Sequence, residues 1–467
     1  MRPKDFAVGR DRSIGEAMRT IDRGALGFAL VTDTDDRLAG VVTDGDVRRA
    51  LLGGAELASP VSAIMNTEPL TLGEDDLEDP VEAAAGLDAR HARRRMPPHG
   101  ALVVPVVGPD GRVVRLAYFD RHGRLALERP REARAVRSVL VLGGAGYLGS
   151  VLVPRLLRNG YRVRVLDLML FGREPLAEVA DHPALEIVQG DMRDLQVLVD
   201  ATKGMDAVVH LAAIVGDPAC ALDPEETLEV NYLATKMAAE VAKFQQINRF
   251  VFASTCSVYG ATGGDEVLDE ESRLNPVSLY ARMKLASERA LHEMADENFA
   301  PTVFRMATLH GPSPRMRFDL VVNVMTANAA ERGLISVHGG DQWRPLLHVA
   351  DAADAYIAAL QAPIEAVGGR TFNVGRDDEN HRIADIARIV QGRFPDVRVE
   401  TSEVEDRRNY RVSFARIQDA IGFEGTQTVE DSVREIAEGL RRQRFGPSQD
   451  IRYSNVAFLR SLVTETE

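Results

Sequence analysis

The sequence predicts an α/β protein whose main domain is a doubly wound parallel sheet, preceded by a smaller α+β module. From residue 138 onward, short apolar segments alternate with amphipathic helical stretches. This alternation is typical of a parallel sheet that is covered by helices on both faces. Residues 1–125 instead contain two similar units of about 60 residues, each with a helix and turn-linked strands, which indicates a pseudo-twofold pair.

Composition describes a globular chain and excludes several classes of partner. The 467 residues are 45% hydrophobic and 27% charged, enough for two or three domains. The net charge of −14 argues against nucleic acid and anionic membranes as partners. No apolar run approaches the roughly 18 residues of a membrane span. There is no apolar signal-peptide core and there are only two cysteines, so we expect a cytoplasmic location, and no metal site is predicted.

The first module follows one plan twice. The first unit has the helical pattern "SIGEAMRTIDRG", then two strands and a helix in "GFALVTDTDDRLAGVVTDGDVRRALL". The second ends in the strand pair "ALVVPVVGPDGRVVRLAYFD". Residues 126–137 are charged with little apolar character and are interpreted as a linker. The predicted domains are therefore 1–125 and 138–467.

The first module resembles a tandem pair of CBS domains, and "GVVTDGDVRRAL" is the best local match. The Thr-x-x-Asp pattern of that family is filled by Thr43 and Asp46. The resemblance implies that these two residues hold the phosphate and ribose of an adenine nucleotide. The second unit lacks the pattern, so at most one site is expected. Two alternatives stay open: Thr43 and Asp46 cap a helix, or the module serves only in dimerisation.

In the main domain six strands are predicted, and the glycines follow the first of them. The strands are "SVLVLGG", "YRVRVLDL", "LEIVQGD", "AVVHLAA", "RFVFAST" and "PTVFRMA". In "VLVLGGAGYLGS" the glycines allow a tight turn at the N-terminus of a helix, where backbone N–H groups can bind a pyrophosphate. The predicted cofactor contacts in this loop are Gly143, Gly146, Tyr147, Leu148 and Gly149. These features predict a Rossmann-type dinucleotide site.

The cofactor prediction extends over the next strands. Asp167 ends the second strand, where a carboxylate accepts hydrogen bonds from ribose hydroxyls. It would repel a 2′-phosphate and no arginine directly follows it, so NAD is favoured over NADP. Asp191 and Met192 are expected near the adenine, although Asp191 could instead be a helix N-cap. Small apolar walls along the cofactor are expected from Leu211, Ala212 and Ala213.

Tyr280 and Lys284 are four residues apart in a helical stretch, so their side chains share one face. A nearby ammonium and a positive nicotinamide favour the phenolate and bring the tyrosine pKa towards neutral, as a general base requires. A second pair with this spacing, Tyr232 and Lys236, precedes the strand that ends at Thr255. We interpret that second pair as surface or helix-packing residues.

Residues 138 to about 460 resemble the extended short-chain dehydrogenases/reductases of the NAD-dependent sugar epimerase/dehydratase family. The resemblance rests on "GGAGYLG", "HLAA", "NYLAT", "STCSVYG", "YARMK" and "RPLLHVADAADA", in that order. It implies that Thr255 binds the substrate 4-hydroxyl, Tyr280 is the base, and Lys284 binds the nicotinamide ribose. Asn231 corresponds to a cofactor-side asparagine. It also implies a homodimer or higher homo-oligomer, formed through the helices that carry Tyr232 and Tyr280.

The same resemblance implies a C-terminal nucleotide-sugar lobe, mainly residues 308–345 and 376–467. Arg344 stands where an arginine holds the substrate diphosphate. Arg315 is a second candidate substrate contact, although it and Arg317 could equally be solvated surface residues. Thr308 replaces an asparagine that is common in relatives, which leaves the identity of the sugar open.

The two residues after Thr255 narrow the reaction. Sugar 4,6-dehydratases of the family carry Asp and Glu there, whereas this chain has Cys256 and Ser257. We therefore expect reversible hydride transfer at C4, as in a nucleotide-sugar 4-epimerase. Cys256 is either a proton shuttle or a small buried filler. The alternatives are a dehydratase or ketoreductase of the same family and a catalytically silent NAD-binding structural or sensor protein.

Overall fold

The structure is a computed structural model that describes residues 3–24, 27–73, 101–120, 125–126, 136–261, 266–296, 298–403 and 408–465. The chain divides into two compact units, residues 1–133 and 134–467. No helix in these ranges is long and apolar enough to cross a lipid bilayer.

The first unit contains two sheets with the same pairing pattern. β1 pairs in parallel with β2, which is antiparallel to β3; β4 pairs in parallel with β5, which is antiparallel to β6. This repetition supports the predicted duplication, while the helix expected between β4 and β5 lies outside the described residues. The elements are β1 (Ala7–Gly9), α1 (Ile14–Gly24), β2 (Phe28–Thr32), β3 (Leu38–Thr43), α2 (Asp44–Leu52), β4 (Leu72–Gly73), β5 (Ala101–Val107), β6 (Val113–Asp120) and β7 (Leu125–Ala126).

The second unit is built on a seven-stranded, wholly parallel sheet in the order β10-β9-β8-β11-β12-β14-β18. Its strands, with those of the smaller sheets, are β8 (Ser138–Leu142), β9 (Arg162–Asp167), β10 (Leu185–Gln189), β11 (Ala207–His210), β12 (Arg249–Thr255), β13 (Val267–Leu268), β14 (Ala300–Met306), β15 (Thr308–His310), β16 (Leu334–His338), β17 (Trp343–His348), β18 (Thr371–Val374), β19 (Asn380–Arg382), β20 (Arg398–Ser402) and β21 (Arg411–Val412).

Helices cover both faces of this sheet, as the apolar strands predict. Val139 and Val141 of β8 enter one hydrophobic cluster, and Leu140 and Leu142 enter another, because successive side chains of a strand point to opposite faces. The helices are α3 (Gly149–Arg158), α4 (Leu195–Thr202), α5 (Asp217–Cys220), α6 (Pro224–Leu228), α7 (Ala234–Phe244), α8 (Leu279–Met294), α9 (Val321–Arg332), α10 (Val349–Gln361), α11 (Ile364–Val367), α12 (Ile383–Arg393), α13 (Ala415–Ile421), α14 (Val429–Arg441) and α15 (Asn455–Glu465).

The strand order positions the site. The chain runs from β8 outward to β10 and then returns to β11 on the other side of β8, which makes the β8–β11 edge a topological switch point. Ligands bind at such a point, beyond the carboxyl ends of the strands. The smaller sheets β15-β17-β19 and β16-β20, packed with α9, α12 and α14, form the C-terminal lobe.

All six predicted strands of the main sheet are present, and the seventh, β18, was not predicted. The sequence of β18 is only four residues, with Thr371 at its start and Asn373 inside it. These polar residues interrupt the apolar run that would signal a buried strand.

Candidate active site

The glycine loop joins β8 to α3 at the switch point. Gly143 has a φ of +85°, and a Cβ there would lie 2.6 Å from the backbone nitrogen of Ala212. Gly144, which sequence reasoning missed, packs so closely against Val165 that a Cβ would lie 2.7 Å from its methyl groups. A Cβ on Gly149 would overlap the backbone of Gly143 and Gly144. The loop therefore needs glycine at these positions for its close packing on itself, on β9 and on the segment after β11.

The start of α3 is open to an anion. Leu148, at the N-cap position, supplies no side-chain cap. The N–H groups of Ser150 and Val151 donate to the Gly146 and Leu148 carbonyls at 2.9 and 3.1 Å, so within the described residues the Gly149 N–H is the one of the first three helical donors left to meet a pyrophosphate. The Tyr147 side chain does not contribute, because its hydroxyl donates to the Gly311 carbonyl at 2.6 Å. Any cofactor contact of Tyr147 is therefore expected from its backbone.

Asp167 at the end of β9 organises this loop. One carboxylate oxygen accepts from the Ala145 N–H at 2.9 Å and the other from the Met169 N–H at 2.8 Å. Burial raises the pKa of Asp167, and these two hydrogen bonds oppose that effect. Each oxygen keeps a further lone pair for a ribose hydroxyl, so the residue fits the predicted role.

The downstream cofactor candidates lie around the same edge. Met192 is buried, and Asp191 pairs with Arg193 at 2.7 Å. The N-cap alternative for Asp191 is wrong, because Asp194 caps α4. Three partly buried residues follow β11, and the first two donate backbone N–H groups to Leu142: Leu211, Ala212 and Ala213.

Asn231 lies in a π-helical turn, Glu229–Leu233, between α6 and α7. Its side-chain amide both accepts from and donates to the backbone of Ile214 at 2.8 Å. The Asn231 side chain thus fixes the loop after β11. The backbone carbonyl of Asn231 accepts a hydrogen bond from the Ser287 hydroxyl on α8 at 2.8 Å. A direct cofactor contact of Asn231 stays a prediction.

Tyr280 and Lys284 lie in the first two turns of α8, which is capped by the Ser278 hydroxyl. The Lys284 ammonium lies 5.9 Å from the centre of the Tyr280 ring and donates to the Ala253 carbonyl of β12 at 2.8 Å. Lys284 is only 2% exposed. By contrast, the Lys236 side chain is exposed, and its ammonium lies 3.9 Å from the Glu240 carboxylate. The lysine of the second Tyr-x-x-x-Lys pair therefore faces solvent.

Burial dominates the titration of both catalytic candidates. It raises the pKa of Tyr280, and the neighbouring Cys220 and Asp217 add to that effect. It lowers the pKa of Lys284 to about 8. The expected shift of the Tyr280 pKa towards neutral is therefore not a property of the protein alone, because desolvation of the phenolate outweighs the opposing charge of Arg317.

A buried ion pair between α8 and β14 was not predicted from the sequence. Glu288, one turn after Lys284, accepts from the Ser254 hydroxyl and pairs with Arg305 of β14 at 2.8 Å. The Arg305 guanidinium also donates to the Tyr259 hydroxyl at 3.1 Å. An arginine inside the apolar strand "PTVFRMA" was the available signal, since a buried charge requires a partner.

Thr255 ends β12 beside this ion pair, and its hydroxyl accepts from the Ser257 N–H at 3.1 Å. Cys256 points away into the core, donates to the Arg305 carbonyl at 3.2 Å and is 1% exposed. Burial raises the pKa of its thiol. The Ser257 hydroxyl lies 3.3 Å from the hydroxyl of Tyr410, a residue that sequence reasoning did not select.

The candidate substrate residues lie on different elements of the structure. Thr308 begins β15. Arg344, on β17, is buried and donates to the Trp343 carbonyl at 2.8 Å. Arg315 is buried, and Arg317 pairs with Asp319 at 2.8 Å with little exposure, so the solvated-surface alternative is wrong for both.

Thr43 and Asp46 form a complete capping box at the start of α2. The Asp46 carboxylate also pairs with Arg49 at 2.5 Å. The same arrangement recurs at α14 in the second unit, where Thr428 and Asp431 form a capping box. Helix capping therefore accounts for the contacts of Thr43 and Asp46 in this structure.

Among the described residues, no group of three or more His, Cys, Asp or Glu side chains could hold a metal ion. The glycine cradle, the Asp167 carboxylate and the Tyr280–Lys284 helix all border the switch point of one parallel sheet. This arrangement defines a nicotinamide-dependent enzyme of the dehydrogenase/reductase type.

The family model described as the NAD dependent epimerase/dehydratase family matches residues 139–375, just over half of the chain, and the chain belongs to that family. The model of the CBS domain matches residues 1–53. The predictions of family, enzyme class and NAD as cofactor are confirmed. The assignment of a second CBS unit is supported only by the pairing of β4, β5 and β6, because the match to the CBS model ends at residue 53.

Curated relatives include both epimerases and dehydratases. The chain is 27% identical over 321 residues to a UDP-glucose 4-epimerase of Lacticaseibacillus casei, covering 64% of this chain and 95% of that protein. It is 28% identical over 319 residues to a dTDP-glucose 4,6-dehydratase of Streptomyces niveus, covering 66% and 93%. It is 33% identical over 245 residues to the uncharacterised protein y4nG of Sinorhizobium fredii, covering 52% of this chain and 57% of that protein.

A solved structure of similar architecture is MoeE5 in complex with UDP-glucose and NAD. The TM-score is 0.58 at 28% identity, over 66% of this chain and all of that one. Together with the curated relatives, it supports the family assignment without separating epimerisation from dehydration.

Replacing Lys284 with methionine tests the cost of its buried charge in the cofactor-free protein. A fall in pKa from 10.5 to about 8 corresponds to about 3 kcal/mol. Below pH 8 both the folded and the unfolded wild type carry the cation, so Lys284→Met should be the more stable protein. Between pH 8 and 10.5 the unfolded state holds more protons, so wild-type stability rises with pH and the difference shrinks.

Urea unfolding of both proteins between pH 7 and 10.5 measures this difference. The exposed Lys236→Met variant is the matched control, and its difference from wild type should stay flat. A Lys284→Met difference that does not change with pH would contradict the assigned burial cost.

Proposed function

We propose that the protein is an NAD-dependent nucleotide-sugar 4-epimerase that works by reversible hydride transfer at C4. The observation that carries the proposal is the pair Cys256 and Ser257 directly after Thr255, where dehydratases of the resembled family carry Asp and Glu. The presence of a UDP-glucose 4-epimerase among the relatives supports it. The family assignment alone leaves the dehydratase and ketoreductase alternatives open.

The chain supplies the groups that such a reaction needs. Thr255 would hold the 4-hydroxyl of the sugar, and Tyr280 as phenolate would accept its proton while C4 loses its hydride. NAD, when bound, supplies the acceptor and later donor of that hydride. After the 4-keto sugar presents its other face, Tyr280 returns the proton and C4 is inverted. Arg344 would hold the diphosphate of the nucleotide.

Elimination of water is disfavoured by the same site. Removing the C5 proton and expelling the C6 hydroxyl needs a base and an acid. The Cys256 thiol is buried and donates a hydrogen bond to a backbone carbonyl, and burial raises its pKa. It is therefore suited neither to act as the base nor to act as the acid. The Ser257 hydroxyl, paired with Tyr410, is a poor base at neutral pH.

Incubating the enzyme with UDP-, GDP- and dTDP-hexoses and following the products by NMR tests the proposal. We expect a product inverted at C4. Tyr280→Phe should lower the rate by on the order of 100-fold or more, because it removes the general base.

Tyr232→Phe is the matched control, since it alters the other Tyr-x-x-x-Lys pair, and it should retain the activity. A 4-keto-6-deoxy product would contradict the epimerase proposal in favour of a dehydratase. No turnover of any sugar, despite NAD binding, would favour the silent NAD-binding alternative.

We also propose that the N-terminal module binds one adenine nucleotide at Thr43 and Asp46 and tunes the enzyme. The CBS match over residues 1–53 supports this, because it contains both residues. The capping box is compatible with it only if the Asp46–Arg49 pair yields to the ribose.

Calorimetric titration with AMP, ADP and ATP tests this regulatory site. Asp46→Ala should abolish binding, since it removes the ribose acceptor. Asp431→Ala is a matched control that removes the equivalent carboxylate of the α14 capping box and should leave binding intact. Equal binding by wild type and Asp46→Ala would leave only the dimerisation role.

We further propose a homodimer or higher homo-oligomer that pairs the helices carrying Tyr232 and Tyr280. Apolar side chains are exposed along this region: Leu233 is 50% exposed, and Leu228 and Val277 are also exposed. Burial of such side chains against a second copy would stabilise the association.

Light scattering at micromolar concentration should show a dimer or a larger assembly. Leu233→Glu should weaken it, because the interface would then bury a carboxylate. Val399→Glu, on β20 of the lobe, is the control and should leave the assembly unchanged. A monomeric wild-type protein would refute the proposal.

A further inference from the structure

Arg315 is a buried cation that forms no ion pair with a carboxylate of the described residues. It is 4% exposed, and its Nε has no hydrogen-bond partner among the described residues. The other guanidinium nitrogens donate only to neutral oxygens, at 2.7 Å to the Asn455 side chain and at 3.3 Å to the Met316 carbonyl. The neighbouring Asp319 is paired with Arg317 instead. An uncompensated buried charge is costly, so this arrangement favours the binding of an anion.

The position of Arg315 identifies that anion. Its backbone N–H donates to the Ser150 hydroxyl at 3.4 Å, in the first turn of α3. Its guanidinium carbon lies 3.7 Å from the ring centre of Phe171, in the loop that follows Asp167. Asn455, which accepts from Arg315, also donates to the Val215 carbonyl at 3.3 Å, in the loop that follows β11. These three segments are the ones that a dinucleotide crosses at the switch point.

We propose that the Arg315 guanidinium is the counter-ion of the pyrophosphate of the bound dinucleotide, held in place by Phe171 and Asn455. The helix N-terminus contributes only a partial charge, whereas a guanidinium offers a full charge and a fork of donors that matches phosphate oxygens. This role replaces the expected contact of Arg315 with the substrate. It rests on the NAD site and not on which sugar reaction follows.

The C-terminal helix becomes part of the cofactor site in this arrangement. Asn455 begins α15, and its backbone N–H donates to Asp319 at 2.9 Å, which anchors the start of the helix. Phe458, one turn later, packs on Phe171 with 4.7 Å between ring centres. The segment thus holds both the cation and the aromatic ring on which the cation is stacked.

Calorimetry of NAD binding to Arg315→Met, after removal of co-purified cofactor, tests the proposal. We expect affinity for NAD to fall about 10- to 100-fold, the effect of losing hydrogen bonds to a charged group. The cofactor-free variant should melt no lower than wild type, because the costly charge is gone, while NAD should raise its melting temperature less. A lower melting temperature with an unchanged NAD-induced rise would mean that Arg315 is merely structural and would overturn the proposal.

Asn455→Asp is a second, nearly isosteric variant that does not empty the site. It gives Arg315 a permanent carboxylate partner, so NAD should bind about tenfold more weakly. Unchanged NAD affinity in this variant would overturn the proposal even if Arg315→Met failed to fold. Arg452→Met removes an exposed arginine that is already paired with Asp450 and should bind NAD like wild type.

A second titration distinguishes the pyrophosphate of the cofactor from the diphosphate of the substrate nucleotide as the ligand of Arg315. UDP, GDP and dTDP are compared, and the one that wild type binds most tightly is titrated into Arg315→Met. Unchanged affinity for this nucleoside diphosphate supports the cofactor as the ligand. A loss confined to the nucleoside diphosphate, with NAD affinity intact, would return Arg315 to the substrate site. Because no sugar turnover is measured, failure of the epimerase proposal would not affect these results.

Discussion

The geometry of the candidate active site depends on how helix α8 is tied to strand β12. Lys284 donates to the Ala253 carbonyl, and one turn later Glu288 accepts from the Ser254 hydroxyl. Two successive turns of the helix are thus fixed to two successive residues of the strand, and Thr255 follows immediately. This double tie sets the distance between the residue expected to hold the substrate hydroxyl and Tyr280, the residue expected to deprotonate it.

Arg305 compensates the buried charge of Glu288 and connects this pair of contacts to further residues. A lone buried carboxylate at Glu288 would be costly, and the bidentate guanidinium compensates it. Arg305 also donates to the Tyr259 hydroxyl, which in turn donates to Asn373 at 2.7 Å in β18. Arg305, the charged residue inside the apolar strand β14, and Asn373, one of the two polar residues of β18, are therefore members of one network. The tyrosine of "STCSVYG" belongs to this network as well.

The sequence was sufficient where the signal was local. The six strands of the main sheet and the spacing of Tyr280 and Lys284 follow from periodicity within a few residues. Glu288 and Tyr410 could not be selected in this way, because their partners Ser254 and Ser257 are distant in sequence and meet them only through packing. The capping boxes of α2 and α14 show a different limit of prediction from sequence. The same Thr-x-x-Asp motif has the same geometry in two unrelated settings, so a local motif does not by itself identify a nucleotide site.

The electrostatics of Tyr280 and Lys284 tie their chemistry to the cofactor. In the protein alone, burial pushes both groups towards their neutral forms, raising the pKa of the phenol and lowering that of the ammonium. A phenol under these conditions is a proton donor and not a base. A positive nicotinamide ring beside it would favour the phenolate, and the neutral reduced ring would not. Tyr280 would therefore be a base when the sugar is oxidised and an acid when it is reduced, which is the alternation that reversible hydride transfer at C4 requires.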